Sequence, residues 1–244
     1  MAGLLGGALN AVAGGGSFIG LPALLYAGIP PVAANATTTL ALWPGAVSSA
    51  VAYRGDMRST WRTLVALGAV SLAGGLLGAL LLVRTSDTSF LRLLPWLMLT
   101  AALTFTVSSR RGAAAAAPPA AAPSQAARYR TMLFVFAIAI YGGYFGGGMG
   151  IMMLATLAAS GMSDIHEMNG LKSTLGATIN GIALAEFILR RVVWWTPGLV
   201  MVGGAIVGGY TGASIARRIP RRYIRLFVIA VGWSMTAYFF IRQP

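Results

Sequence analysis

The stretch YGGYFGGGMG, residues 141–150, interrupts an apolar run that extends over residues 131–160. As one continuous helix this run would be about 45 Å long at about 1.5 Å per residue, too long for one crossing of a bilayer and too short for two. A matching stretch, AGGGSFIGLP, occupies residues 13–22. Glycine weakens a helix interior and permits positive φ angles. We therefore expect both apolar runs to break at their glycines.

The composition around these stretches is that of a membrane protein. Of the 244 residues, 57% are hydrophobic and 9% are charged, against about 25% charged residues in soluble domains. Apolar runs long enough to cross a hydrocarbon core of about 30 Å as helices follow one another along the chain. They lie near residues 1–27, 34–53, 63–83, 89–107, 131–160, 171–189, 197–216 and 223–241. No stretch remains for a water-soluble domain.

The net charge of +13 reflects arginines that lie almost entirely between the apolar runs. Cations concentrate there in membrane proteins, so we relate the charge to topology and lipid headgroups and expect no nucleic-acid partner. With no cysteine and a single histidine, the chain cannot assemble a zinc cage, a disulfide or a Cys–His pair. The sequence therefore predicts no enzyme, no cofactor and no metal site.

The two parts of the chain repeat one pattern. A shift of 134 positions aligns Asn35 with Asn169, Thr39 with Ser173 and Trp61 with Trp195, and it also aligns several glycines. Between the repeats lies an Ala- and Pro-rich segment that is typical of an exposed linker. We divide the chain into a first repeat (1–111), a linker (112–128) and a second repeat (129–244). Internal repeats of this kind are common in transporters.

The arginines favour repeats of opposite orientation. Parallel repeats would place 5 and 7 of the arginines between runs on the two sides, whereas inverted repeats place 8 and 4, and the four linker arginines join the richer side. Inversion requires an odd number of crossings in each four-segment repeat. We predict an all-α polytopic membrane protein of two inverted repeats, whose glycine-broken first segments are re-entrant, with six full spans and both termini outside. Parallel repeats with eight spans remain the alternative.

The only lysine of the chain lies in NGLKSTLGATIN, residues 169–180. Helical spacing places the polar residues of this stretch on one face, namely Asn169, Lys172, Ser173 and Asn180. The counterparts in the first repeat are Asn35, Thr38 and Thr39. An ionisable group inside a membrane indicates function, so we predict an asymmetric anion site of amides, hydroxyls and one ammonium group. A lysine that snorkels toward the headgroups is the alternative.

The glycine stretches are a second candidate part of this site. Irregular backbone inside a membrane must be buried in protein or line a cavity, and successive N–H groups at a helix start bind anions. We therefore add the following residues to the predicted substrate site: Gly14, Gly15, Gly16, Ser17, Gly147, Gly148 and Gly150. Close helix packing is the alternative. It fits the regularly spaced glycines at 74, 75, 78, 208, 209 and 212 better.

The acidic residues are expected to have mainly structural roles. Asp164 and Glu167 fall in the first turn of a helix that Ser163 is placed to cap, where negative charge suits the helix dipole. Glu186 lies four residues before Arg190, which is the spacing of a helical ion pair. Proton coupling by Glu186 or His166 remains an alternative.

The quoted stretches resemble the TauE/SafE family of bacterial membrane permeases, which comprises sulfite exporters and toluenesulfonate uptake permeases. The resemblance covers essentially the whole chain. It rests on GGGSFIGLPALLYAGIPPVAANATTTLAL (14–42), GGGMGIMMLATLAASGMSDIHEMNGLKSTLGATINGIAL (146–184) and GGAIVGGYTGASIARRIPRRYIRLFVIAVG (203–232). The stretch around Lys172 matches a subgroup with lysine there, whereas Thr38 departs from a symmetric arrangement.

The resemblance implies a multi-pass protein of the bacterial inner membrane that transports small sulfur- or carbon-containing anions such as sulfite, sulfonates or sulfoacetate. It implies binding at the polar starts of the second and sixth helices, by Asn35, Thr38, Thr39, Asn169, Lys172 and Ser173. We expect a secondary transporter that works by alternating access, with H+ or another ion as coupling partner. An anion channel and a non-transporting scaffold are the alternatives. The direction of transport and a homo-oligomeric state are left open.

Overall fold

The computed structural model describes residues 1–13, 15–57, 59, 61–111, 125–216 and 221–242. Within these ranges the regular structure is helical, with no strand, so the predicted all-α class is confirmed. The helices are α1 (Ala2–Ala13), α2 (Ser17–Tyr26), α3 (Pro31–Ala52), α4 (Trp61–Arg84), α5 (Asp87–Arg111), α6 (Gln125–Tyr144), α7 (Met149–Ala159), α8 (Ile165–Leu189), α9 (Trp195–Ala216) and α10 (Arg221–Ile241). Of the predicted linker, residues 112–124 lie outside the described residues, and 125–128 open α6.

The surface of the long helices is apolar, as lipid contact requires. Helix α4 and residues 87–107 of α5 have the length and the mean hydropathy, 2.2 and 1.6, of membrane spans. Large apolar side chains of α4 are exposed along its outer face, namely Leu72, Leu76, Leu77 and Leu81. Contiguous exposed apolar surface is rare on soluble monomers. The fold is therefore typical of a helical membrane protein.

Both predicted helix breaks fall at the glycine stretches. Helix α6 ends at Tyr144 and α7 begins at Met149, while α1 ends at Ala13 and α2 begins at Ser17. Gly146 and Gly148 have φ angles of +82° and +79°, a left-handed region that glycine enters without the steric cost of a Cβ atom. The expectation that the apolar runs break at these glycines is confirmed.

Helices α6 and α7 form a hairpin whose two ends lie together. A cavity of about 480 Å³ is lined by Arg128 and Thr131 of α6, by the segment 160–164 after α7, and by Thr63 and Glu167 at the starts of α4 and α8. We call this the first end of the molecule. The chain thus leaves the first end along α6, turns at the glycines and returns along α7.

The opposite end of the molecule gathers the starts of α3, α5 and α9. The backbone N–H of Val32 donates to Asp87 Oδ1 at 2.9 Å, and the backbone N–H of Trp194 donates to Thr37 Oγ1 at 3.0 Å. We call this the second end. Helices α3, α5 and α9 therefore run in the opposite direction to α4, α6 and α8.

Helices α3 and α8, which the 134-residue shift relates, cross in antiparallel orientation. Trp43 Nε1 donates to the carbonyl oxygen of Ala177 at 3.0 Å, and Thr174 Oγ1 lies 3.5 Å from Met57 Sδ. The corresponding pair α5 and α10 is antiparallel as well. Its ring pair Trp96–Phe240 has a centroid distance of 5.1 Å. A Cβ atom on Gly232, earlier in α10, would lie 3.6 Å from Ala102 Cβ, further along α5.

Glycines bring α6 onto α4, and α1 onto α9, at backbone contact distance. A Cβ atom added to Gly78 would overlap the carbonyl oxygen of Ile140, and one added to Gly208 would overlap that of Leu4. Gly74 and Gly75 are similarly close to their neighbours, with added Cβ atoms at 2.7 Å from Ala139 Cβ and 3.0 Å from Ile182 Cγ2. The packing interpretation is therefore confirmed for the glycines at 74, 75, 78 and 208.

We predict that Gly78→Ala destabilises the protein, whereas Gly68→Ala on the same helix does not. The added methyl at position 78 forces α4 away from α6, and overpacking of this kind costs about 1–3 kcal/mol. A Cβ at Gly68 meets nothing within 4 Å. Thermal unfolding of the purified proteins in detergent measures the difference. Equal melting temperatures for the two variants would contradict the close contact.

Candidate functional site

Lys172 lies on α8 with its ammonium group directed toward the first end. Asp164 caps this helix by accepting hydrogen bonds from the backbone N–H groups of His166 and Glu167, at 2.9 and 3.3 Å, so the cap is Asp164 rather than the expected Ser163. Lys172 Nζ donates to Asn169 Oδ1 at 3.2 Å. Within the described residues no carboxylate forms a salt bridge with Lys172. An amide oxygen is thus the partner of the ammonium group.

The start of α7 lies beside Lys172. A Cβ atom on Gly150 would be 3.4 Å from Lys172 Cδ, and Gly148 is the N-cap of α7. The backbone N–H groups of Met149 and Gly150 donate to no backbone oxygen within the described part of the chain. Free N–H groups and the helix dipole favour an anion at such a start. The structure therefore places the aliphatic part of the Lys172 side chain beside the first turn of α7.

Asn35 of the first repeat contacts the break from the other side. Asn35 is 1% exposed, and its Nδ2 donates to the carbonyl oxygen of Tyr144 at 3.0 Å. Thr38 Oγ1 donates to Ala34 O at 2.8 Å, and Thr39 Oγ1 donates to Asn35 O at 3.1 Å. Both hydroxyl groups thus use their protons on carbonyls of their own helix. Of these three residues, Asn35 alone joins α3 to the break.

The polar residues of the two repeats lie at different positions along the helix axes, whereas the sequence analysis predicted that they form one site. The antiparallel helices α3 and α8 meet where Trp43 contacts Ala177. Lys172 lies five residues before this contact on α8, and Asn35 lies eight residues before it on α3. At about 1.5 Å per residue, Asn35 and Lys172 are about 20 Å apart along the helices. The α6–α7 break lies between them, with the Tyr144 carbonyl near Asn35 and Gly150 near Lys172.

Some of the remaining predicted site residues pack against neighbouring helices, and others lie at the α6–α7 break. Gly14 lies outside the described residues. Gly15 and Gly16 are buried, and a Cβ on Gly16 would be 2.6 Å from Gly6 O, so this part of the stretch packs against α1. Ser17 starts α2, and Ser173 is buried beside Lys172 on α8. Around the other break Gly147 packs against Phe145, Gly148 packs against Ala101, and Asn180 Oδ1 lies 3.8 Å from the Cβ position of Gly146.

Tyr141 holds the α6–α7 break, a role that the sequence analysis missed. Its hydroxyl oxygen lies 2.7 Å from the carbonyl oxygen of Gly147 and 3.0 Å from that of Leu97 on α5, so one proton is shared between the two acceptors. A tyrosine directly before a glycine run was the only signal in the sequence for this role.

The ion pair expected on α8 is confirmed, with Arg190 Nε 2.7 Å from Glu186 Oε1.

Comparison with known proteins gives one consistent result. A family model described as "Sulfite exporter TauE/SafE" matches residues 1–239. The chain is 29% identical over 238 residues to a "Probable membrane transporter protein" of Haemophilus influenzae, covering 94% of this chain and 88% of that protein. It is 27% identical over 244 residues to "Probable membrane transporter protein YfcA" of Escherichia coli K12, covering 96% and 85%. No solved structure is a significant match.

We predict that Tyr141→Phe loosens the break. The carbonyl groups of Gly147 and Leu97 lose their shared donor, which lowers the free energy of unfolding by about 1 kcal/mol. Hydrogen exchange should become faster at residues 145–148, between α6 and α7, while α6 itself remains protected. Tyr129→Phe, on the exposed start of α6, is the control and should change neither quantity. Unchanged exchange at the glycines in Tyr141→Phe would contradict the anchoring role.

Proposed function

The chain belongs to the TauE/SafE family, and from this premise we propose that it is a secondary transporter of small anions in the inner membrane of a bacterium. Sulfur oxyanions such as sulfite, and short sulfonates, are the proposed substrates. The family and the names of the relatives support membrane transport. Lys172 and the start of α7 beside it support a small, negatively charged solute. An anion channel built from the same residues is the alternative.

The observation that carries the anion proposal is the position of Lys172. Lys172 is half-buried on a membrane-spanning helix, and only a neutral amide oxygen accepts its hydrogen bond among the described residues. A charge in such surroundings is costly unless something compensates it. The N–H groups at the start of α7 add a second feature that favours negative charge. A small anion bound at Lys172 would compensate the ammonium charge.

We further propose that the two repeats are inverted and that α1–α2 and α6–α7 are re-entrant hairpins. The antiparallel contacts of α3 with α8 and of α5 with α10 support inversion, because parallel repeats would align these pairs. The cavity at the first end supports a hairpin that enters and leaves on the same side. This arrangement allows access to alternate as one half moves against the other around the breaks.

We expect sulfite or methanesulfonate to raise the melting temperature of the purified protein by about 3–5 °C at about ten times the Kd. Lys172→Ala should remove this rise while the protein stays folded, because the variant lacks the compensating charge. Arg84→Ala, which removes an exposed arginine at the second end, is the matched control and should keep the rise. A full rise in Lys172→Ala would refute the role of this lysine.

Vesicles separate a carrier from a channel. In proteoliposomes preloaded with unlabelled sulfite, a carrier should take up labelled sulfite faster, and this stimulation should be lost in Lys172→Ala. Unsaturable flux without stimulation would favour the channel.

The inverted arrangement predicts opposite labelling of two equivalent loops. The chain contains no cysteine, so single substitutions report location directly. Ala27→Cys lies before α3 at the second end, and Ser163→Cys lies before α8 at the first end. In intact cells a membrane-impermeant maleimide should label Cys at position 27, and it should reach position 163 only after the inner membrane is permeabilised. Labelling of both positions from one side would favour parallel repeats.

A further inference from the structure

The two equivalent asparagines, Asn35 and Asn169, differ in what their side-chain oxygens contact. Asn169 Oδ1 accepts a hydrogen bond from the Lys172 ammonium group at 3.2 Å. Asn35 is 1% exposed, and its Oδ1 has no hydrogen-bond partner within the described residues. Buried polar atoms are nearly always satisfied. A buried amide oxygen without a partner therefore calls for a physical explanation.

The difference follows from the residue three positions further along each helix. Position 172 is lysine, whereas the equivalent position 38 is threonine. The hydroxyl of Thr38 donates to Ala34 O at 2.8 Å and is therefore not directed at Asn35 Oδ1. The second repeat thus supplies a tethered cation to its asparagine, and the first repeat supplies none.

The C-terminus of α6 lies next to Asn35. Its Nδ2 donates to the carbonyl oxygen of Tyr144, the last residue of α6. Within the described residues, the carbonyl oxygens of Gly142 and Gly143 accept no hydrogen bond from the residues that follow the helix. The C-terminus of a helix carries partial negative charge on such carbonyls. Asn180 Oδ1 approaches the same turn, 3.8 Å from the Cβ position of Gly146.

We propose that Asn35 Oδ1 and the carbonyl groups at the C-terminus of α6 bind a monovalent metal cation, with Na+ as the probe. The oxygen atoms named are uncharged amide and peptide oxygens, which are hard ligands suited to hard cations. Ca2+ sites include carboxylates, and no carboxylate contacts these atoms among the described residues. Carbonyls at the ends of broken helices coordinate Na+ in other transporters. Service as the coupling ion rests on the proposed transport function, whereas binding does not.

The experiment measures thermal unfolding of the full chain in detergent as NaCl replaces N-methyl-D-glucamine chloride at constant ionic strength. We expect a saturable rise in melting temperature, about 2–4 °C when Na+ exceeds its Kd about fivefold. KCl in the same series measures selectivity, and a rise with either metal ion supports the site. No rise with either ion overturns the proposal.

Three variants assign the effect to Asn35. Asn35→Leu removes the oxygen and should abolish the rise. Asn35→Asp places a carboxylate there, and this variant should show a larger rise than the natural protein, which remains informative if Asn35→Leu does not fold. Asn169→Leu, the equivalent substitution in the second repeat, is the control and should keep the natural rise. A natural rise in Asn35→Leu, or a smaller one in Asn35→Asp, overturns the assignment.

The outcome is separable from that of the sulfite experiment. A Na+ effect without any sulfite effect would leave the cation site standing and refute anion transport. A rise in melting temperature with sulfite but with neither Na+ nor K+ would support the anion site and refute the cation site.

Discussion

The antiparallel crossing of α3 and α8 is the contact on which the arrangement of the polar residues depends. The indole of Trp43 bonds to the backbone of Ala177, the residue equivalent to Trp43 itself in the 134-residue shift. This fixes the two related helices with their starts at opposite ends. Asn35 and Lys172 therefore lie on opposite sides of the crossing, and the α6–α7 break is placed between them.

The sequence was informative where a single physical constraint left few choices. An apolar run too long for one span and interrupted by glycines had to break, and it does so between Tyr144 and Met149. Glycines at helical spacing indicated close packing, which the contacts of Gly78 and Gly208 confirm. The four-residue spacing of Glu186 and Arg190 likewise specified their ion pair. In each case the prediction depended on residues close together in the sequence or on the length of an apolar run.

The candidate site was harder to predict, because helical periodicity indicates on which face of a helix a residue lies but not its depth in the folded protein. Asn35 and Lys172 occupy related faces, yet the antiparallel crossing separates them. The partner of Asn35 is a carbonyl 109 residues away, and that of Tyr141 lies on α5. Nothing in local spacing encodes such contacts. The difference between Thr38 and Lys172 was visible in the sequence, but its effect on the neighbouring asparagines required the side-chain positions.

The pairing of α1 with α9 has a consequence for biosynthesis. The backbone surface of α1 at Gly3 and Gly7 is covered by residues 201 and 205, which emerge from the ribosome long after α1. Helix α1 must therefore remain in the membrane without this neighbour until most of the protein has been synthesised. Helix α6, in contrast, finds α4 already inserted. Helix α1 thus completes its packing later in synthesis than α6 does.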